Sequence, residues 1–306
     1  PPPPPPPPPP FFFNPHPAIR DPLWSRGLGD VYKRQLLPIM DGMAKYLSYE
    51  MHFIQIVWGR YFFMILISLP LTYFFFKKYL SWPKSINLQL ARSIFLFLST
   101  IFFFYAISVI SLAKSLALAF IYPFIVTLLS SFVLKEKVDF QRWCAVIIGF
   151  IGALIIIQPG FIKINLATLA GLGTGIAYAF YMISTRKLTS IDNPLLTLNF
   201  TGLFGAVIIS FIVPFFWIMP NFNQWLLMIG LAAVGTLGHF FLILSLNYAE
   251  ASKLSPLSYF EIVNNVIIGY YFFGDFPNNW LWLGLLFIIS SGIFISLREA
   301  RGRLTK

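Results

Sequence analysis

The chain has 306 residues, 58% of them apolar and 19% aromatic but only 11% charged, and its mean hydropathy is +0.75. That leaves too little polar surface for a soluble globule and makes lipid the solvent. A formal charge of +11 suggests a nucleic-acid partner in a soluble protein, a class this composition excludes, and the one cysteine, Cys144, excludes an intrachain disulfide.

Residues 1–35 stand apart. Ten prolines are followed by Phe11-Phe12-Phe13 and by Asp30-Val31-Tyr32-Lys33-Arg34-Gln35, which one frame of a transposon-based sequencing adapter encodes. The segment is read as non-native or disordered, with a natural Pro-rich polyproline II tail as the alternative. On this reading the first membrane helix has lost its N-terminal half.

From Leu36 on, apolar segments of membrane length follow one another between short polar breaks. After the stub Leu36–Leu47 the predicted spans are Phe53–Phe76, Leu88–Ile110, Lys114–Leu134, Phe140–Gln158, Leu166–Ser184, Leu195–Trp217, Trp225–Leu246, Ser252–Phe273 and Trp280–Leu297, ten helices in all. Without the basic Arg20, Arg26, Lys33 and Arg34 and the acidic Asp21 and Asp30 of the leading segment, the 22 basic and 11 acidic residues become 18 and 9. The basic ones collect in alternate connections: Lys77, Lys78, Lys84 and Arg92 in the second, Lys135, Lys137 and Arg142 in the fourth, Arg186 and Lys187 in the sixth, Lys253 in the eighth. By the positive-inside rule both termini lie in the cytoplasm and the membrane is the cytoplasmic, or inner, one.

The second half repeats the first. A shift of 139 lays Lys114 on Lys253, Phe120 on Tyr259, Glu136 on Asp275 and Trp143 on Trp282. Five helices per half is an odd number, so the halves enter the membrane from opposite sides. The predicted fold class is an all-α integral membrane protein of ten transmembrane helices in two inverted five-helix repeats, residues 36–160 and 161–300, with a basic cytoplasmic tail at 301–306. The repeat is a transporter signature.

Ionisable residues inside such spans are functional candidates. Asp41 and Lys45, four apart on the stub, either pair with each other or meet a substrate. Arg60, two turns into its helix, suits a carboxylate or phosphate, the alternative being a buried pair with Asp41 or Glu261. Glu261 is expected mid-helix, with Asn264 and Asn265 adding polar groups within a turn. Burial favours its neutral form and makes it a proton acceptor or a cation's counter-ion. His239 is a second proton-coupling candidate or a structural donor. Pro70, Pro123, Pro214 and Pro256 interrupt spans and free backbone carbonyls. Pro123 and Pro256 fall in corresponding helices, which puts the cavity between them and makes Tyr122, the repeat mate of Glu261, a wall residue, with Tyr105, Tyr178 and Tyr181 behind it. Ala167, Gly171, Gly175 and Ala179 form a small-residue stripe for helix packing. No metal-ligand spacing, nucleotide loop or nucleophile elbow occurs, so no metal, cofactor or catalytic residue is expected.

Four stretches carry a resemblance: Met40-Asp41-Gly42-Met43-Ala44-Lys45-Tyr46-Leu47, Trp58-Gly59-Arg60-Tyr61-Phe62-Phe63, Leu116-Ala117-Leu118-Ala119-Phe120-Ile121-Tyr122-Pro123-Phe124, and Ser258-Tyr259-Phe260-Glu261 followed by Gly269-Tyr270. From Leu36 to Leu297 the chain resembles the drug/metabolite transporter superfamily, of the EamA (RhaT-like) kind. It departs from the pattern where a common Gly-Glu pair reads Lys135-Glu136 and Gly274-Asp275. The resemblance implies a central cavity, a small-metabolite cargo and export of amino acids or related compounds. The expected function is alternating-access transport of a zwitterion or anion, Arg60 and Lys45 meeting its anionic end and Glu261 its amine or a proton. The alternative is a carrier of hydrophobic cations or nucleoside-like metabolites such as S-adenosylmethionine, stacked on tyrosines. A membrane-embedded enzyme or scaffold is the reading from another class. The lipid bilayer and a small metabolite are the partners, and the sequence suits a monomer or a homodimer.

Overall fold

The computed structural model describes residues 25–157, 165–254, 260–275 and 279–304. All regular elements among them are helical: α1 Ser25–Leu47, α2 Phe53–Phe76, α3 Ile86–Val109, α4 Leu112–Ala119, α5 Tyr122–Val133, α6 Phe140–Ile157, α7 Leu166–Leu188, α8 Pro194–Ile212, α9 Phe222–Tyr248, α10 Ala251–Leu254, α11 Phe260–Phe273 and α12 Asn279–Leu304. Among the described residues seven segments are long and apolar enough to cross a bilayer, α4 and α5 counting together as Leu112–Val133. α1, the α10–α11 pair and α12 complete the ten passes.

Side-chain caps set several starts. Asn165 accepts from Thr168 N before α7, and Asn193 accepts from Leu195 N before α8, where Pro194 needs no donor. α9 opens on a reciprocal capping box between Asn221 and Gln224, three residues ahead of the predicted Trp225.

Three expectations change. α1 begins at Ser25, so the end of the adapter-like segment continues the helix instead of preceding it. Arg92, assigned to the second connection, lies one turn and a half inside α3 and is 1% exposed. Glu261 is not mid-helix but in the first turn of α11. Pro123 likewise starts α5 after α4 has ended, and Pro214 sits in the 3-10 turn Val213–Phe216 that closes α8. Pro70 lies within a continuous α2. Pro256 and Tyr259 are outside the described residues.

The repeat is visible element by element. A shift of 139 carries the end of α3, Val109, onto the end of α9, Tyr248, and the starts of α4 and α6, Leu112 and Phe140, onto those of α10 and α12, Ala251 and Asn279. The most extensive contacts, α3 along α7 and α1 along α9, are interchanged by this shift, whereas α2 with α8 and α6 with α12 map onto themselves. Two repeats, α1–α6 and α7–α12, therefore exchange helices across an internal two-fold relation. In the α6–α12 pair a Cβ on Gly152 would lie 2.7 Å from Gly284 O, and one on Gly284 would lie 2.6 Å from Gly152 O. The Ser291 hydroxyl donates to Ala145 O at 2.6 Å in the same seam.

On α7, Ala167, Gly171, Gly175 and Ala179 are all buried. A Cβ on Gly175 would run into the Ala119 carbonyl, so glycine here lets α7 touch the break between α4 and α5 backbone to backbone.

Candidate functional site

The α4–α5 break and the first turn of α11 meet at one chamber. A cavity enclosing about 540 Å³ of empty space, its mouth included, is lined by Asp41 of α1, Arg60 of α2, Ser99, Thr100, Phe103 and Phe104 of α3, Phe120 and Tyr122 at the α4–α5 break, Thr174 and Tyr178 of α7, His239 of α9 and Glu261 of α11. Five residues singled out in the sequence, Asp41, Arg60, Tyr122, His239 and Glu261, thus meet from five helices. Tyr122 and Glu261, mates under the repeat, both line the chamber from the N-terminal turns of α5 and α11, where the helix dipole attracts negative charge.

Arg60 is 5% exposed and sits about 10 Å into α2, at ~1.5 Å per residue. It pairs with neither carboxylate. Its guanidinium donates to the Thr100 hydroxyl and, at 2.7 Å, to His239 Nε2, and it stands over the Tyr61 and Phe104 rings at 5.3 and 5.8 Å. Since a guanidinium only donates, His239 Nε2 accepts, and its Nδ1 faces the Tyr181 hydroxyl at 3.1 Å. Tyr181 in turn accepts from Arg92 at 3.2 Å. Arg92 also donates to Thr185 at 2.8 Å, to Thr197 O at 3.3 Å and to Thr201. One buried wire, Arg60–His239–Tyr181–Arg92, therefore runs behind the cavity wall. Its threonine and carbonyl partners satisfy donors that would otherwise make two arginines in lipid very costly. Arg92 was missed because its place near the start of α3 reads as interfacial, although an arginine more than a turn inside an apolar span is the signal that finds it.

Other candidates lie outside the chamber lining. Lys45 turns from Asp41 to the end of α3, donating to Ile107 O at 2.6 Å and Ile110 O at 3.3 Å. Asn265, fully buried, donates to Asp41 Oδ2 at 3.5 Å and to the backbone carbonyl Glu261 O at 3.2 Å, so it ties the Asp41 carboxyl to the first turn of α11. Asn264 is half-buried on α11. Tyr105 packs on Phe53 with ring centroids 5.3 Å apart. Among the described residues no group of three His, Cys, Asp or Glu side chains is placed to hold a metal ion.

Chemically, the chamber offers one hydrogen-bonded cation, two carboxyl groups and an aromatic wall in which Phe120, Tyr122 and Tyr178 succeed one another at centroid distances of 5.2 and 4.8 Å, with Tyr181 packed behind Tyr178 at 5.3 Å. Such a surface takes a flat ring together with charges of both signs.

A family model described as the EamA-like transporter family matches residues 40–158 and again 165–297. An S-adenosylmethionine uptake transporter of Rickettsia prowazekii is 25% identical over 268 residues, 88% of this chain and 91% of its own length. A riboflavin transporter of Vibrio cholerae is 33% identical over 196 residues, 61% and 63% of the two chains. One solved crystal structure superposes with a TM-score of 0.73 over 90% of this chain and 98% of its own at 16% identity, a likeness of fold alone. With two family units matched in tandem, each on one five-pass repeat, this multi-pass membrane protein is a transporter that belongs to the EamA-like transporter family.

Proposed function

We propose that the carrier moves a nucleoside-like metabolite bearing both a cationic centre and a carboxylate, with S-adenosylmethionine as the fitting example. The observation that carries this is the joint placement of Arg60, the Asp41 and Glu261 carboxyl groups and the aromatic wall in one chamber. Arg60 takes the cargo carboxylate, Asp41 and Glu261 face its sulfonium and amine, and Phe120, Tyr122 and Tyr178 stack on the base. The relative named for S-adenosylmethionine uptake, which aligns along nearly the whole chain, supports this cargo over the amino-acid export that the family resemblance suggested. Riboflavin, named for the second relative, suits the aromatic wall but has no cation to answer two carboxyl groups. The charge pattern of the connections supports a cytoplasmic location for both termini.

The test is uptake into proteoliposomes of labelled S-adenosylmethionine, riboflavin and leucine, with and without a pH gradient. S-adenosylmethionine is expected to be taken up, and Glu261→Gln to weaken it about tenfold, the ~1.4 kcal/mol scale of one charged contact. The thioether analogue without the sulfonium charge should lose much less. Transport of riboflavin or leucine but not S-adenosylmethionine refutes the cargo.

A further inference from the structure

The two departures from the Gly-Glu pattern are mates under the repeat and share a backbone conformation. Lys135 and Gly274, related by the shift of 139, are the two positive-φ positions among the described residues, at 55° and 67°. The next amide bonds back in both: Glu136 N to Ser130 O and Asp275 N to Gly269 O, each at 3.1 Å. The α5–α6 and α11–α12 connections thus share one backbone turn and deliver one carboxylate each. Five passes separate them, so the carboxylates lie at opposite faces.

Each acid has a matching receptor in the other repeat. Glu136 accepts from Ala251 N and Ser252 N, both at 3.1 Å, and lies 3.5 Å from the Arg186 guanidinium. Arg186 also donates to Leu246 O at the end of α9. The shift converts Ala251, Ser252 and Leu246 into Leu112, Ala113 and Ile107. Ile107 O is the carbonyl to which Lys45 donates, so Lys45, two residues before Leu47, the mate of Arg186, reaches the carbonyl equivalent to the one Arg186 reaches. Asp275 faces Lys45 and Lys114 electrostatically, yet its Oδ2 has no hydrogen-bond partner among the described residues. The Glu136 face carries a further ion pair between the repeats, Arg142 with Glu250 at 3.3 Å. One receptor is occupied, and its mate is only approached.

The cavity lies on the side of the looser set. Its α3 residues Ser99 to Phe104 are in the half ending at Val109, and Arg60 and Thr174 are nearer the starts of α2 and α7, which share that face, while His239 forms its deep end past the middle of α9.

We infer that two symmetry-related latches, Glu136 on Arg186 with the Ala251 and Ser252 amides, and Asp275 on Lys45 with the Leu112 and Ala113 amides, close this carrier alternately at its two faces. The structure holds the Glu136 latch shut and the Asp275 latch open. This deepens the transporter assignment without depending on the cargo. The occupied latch contains charge-assisted bonds to backbone amides, so its release requires a compensating gain, which closing the mate supplies.

The experiment is a pair of spin-label distance measurements on the full chain in lipid nanodiscs, in a Cys144→Ala background. Labels at Lys137→Cys and Lys187→Cys span the Glu136 face, and labels at Tyr46→Cys and Phe272→Cys span the other; all four positions are exposed. Glu136→Gln should widen the first distance and shorten the second. Arg186→Gln, which leaves the carboxylate on its amides, should do the same to a lesser degree. Asp275→Asn alone should leave both distances as in the parent and, combined with Glu136→Gln, abolish the shortening. Unchanged distances in both single variants at the Glu136 face, or widening at both faces, overturns the latch. None of these outcomes depends on transport of any particular cargo, so a failed cargo assignment is recognised separately by uptake.

Discussion

Arg60→Gln separates a cargo-binding arginine from a structural one. The guanidinium has two side-chain partners, Thr100 and His239, and faces the cavity, so a cargo carboxylate gains charge-assisted bonds of about 1.5–3 kcal/mol. At ~1.4 kcal/mol per decade the substitution weakens S-adenosylmethionine binding about 10- to 150-fold. Adenosine, which lacks the amino-acid arm but keeps the stacking base, should lose under about threefold, corresponding to less than ~0.7 kcal/mol. Arg60→Lys should fall between, since it keeps the charge but not the planar fork. Calorimetric titration of purified protein with both ligands provides the ratio. Equal losses for the two ligands refute the carboxylate role and leave Arg60 as a support for His239 and Thr100.

Lys135→Gly should stabilise the protein by about 1 kcal/mol, since a side chain at φ 55° carries the left-handed penalty; a denaturation midpoint no higher than the parent's contradicts this. Gly175→Ala should cost about 1–3 kcal/mol because the added methyl meets the Ala119 carbonyl. Gly202→Ala, whose methyl would meet only the flexible Met64 side chain at 3.4 Å or more, should be tolerated, and equal melting shifts would disprove the backbone contact. Burial raises the Asp275 carboxyl above its ordinary range, with Lys45 and Lys114 opposing. A raised acid costs no stability below the unfolded value and progressively more as pH rises through the folded one. Asp275→Asn should therefore melt higher than the parent at neutral pH and lose that advantage in acid, a difference that thermal scans across pH would read; an advantage that grows in acid refutes it.

Much of the architecture was legible because lipid leaves the chain few choices. Every backbone polar group must bond within a helix, so hydropathy placed α2 on Phe53–Phe76 and the passes from α3 to α9 to within about five residues, while α1 begins earlier and α12 ends later than predicted. The same economy made Asp41, Arg60, His239 and Glu261 conspicuous, and they do share a chamber. Direction was harder to read. Lys45 lies four residues from Asp41 on the same helix, yet its ammonium donates to the Ile107 and Ile110 carbonyls at the end of α3. Arg92 looked interfacial from its position along the chain, and only the hydroxyls of Thr185, Thr201 and Tyr181, contributed by other helices, explain its burial. The paired turns at Lys135 and Gly274 were hidden because the two residues are chemically unlike while their backbones are alike.

The glycine seam between α6 and α12 bears on how such a molecule moves. Two backbones in mutual contact, each excluding even a methyl group from the other, resist sliding, and this pair is one that the internal symmetry leaves in place. A fulcrum belongs at such a spot: the remaining helices can tilt about it while the lipid-facing end of the bundle stays still, so the carrier need not drag its whole perimeter through the membrane on each turnover.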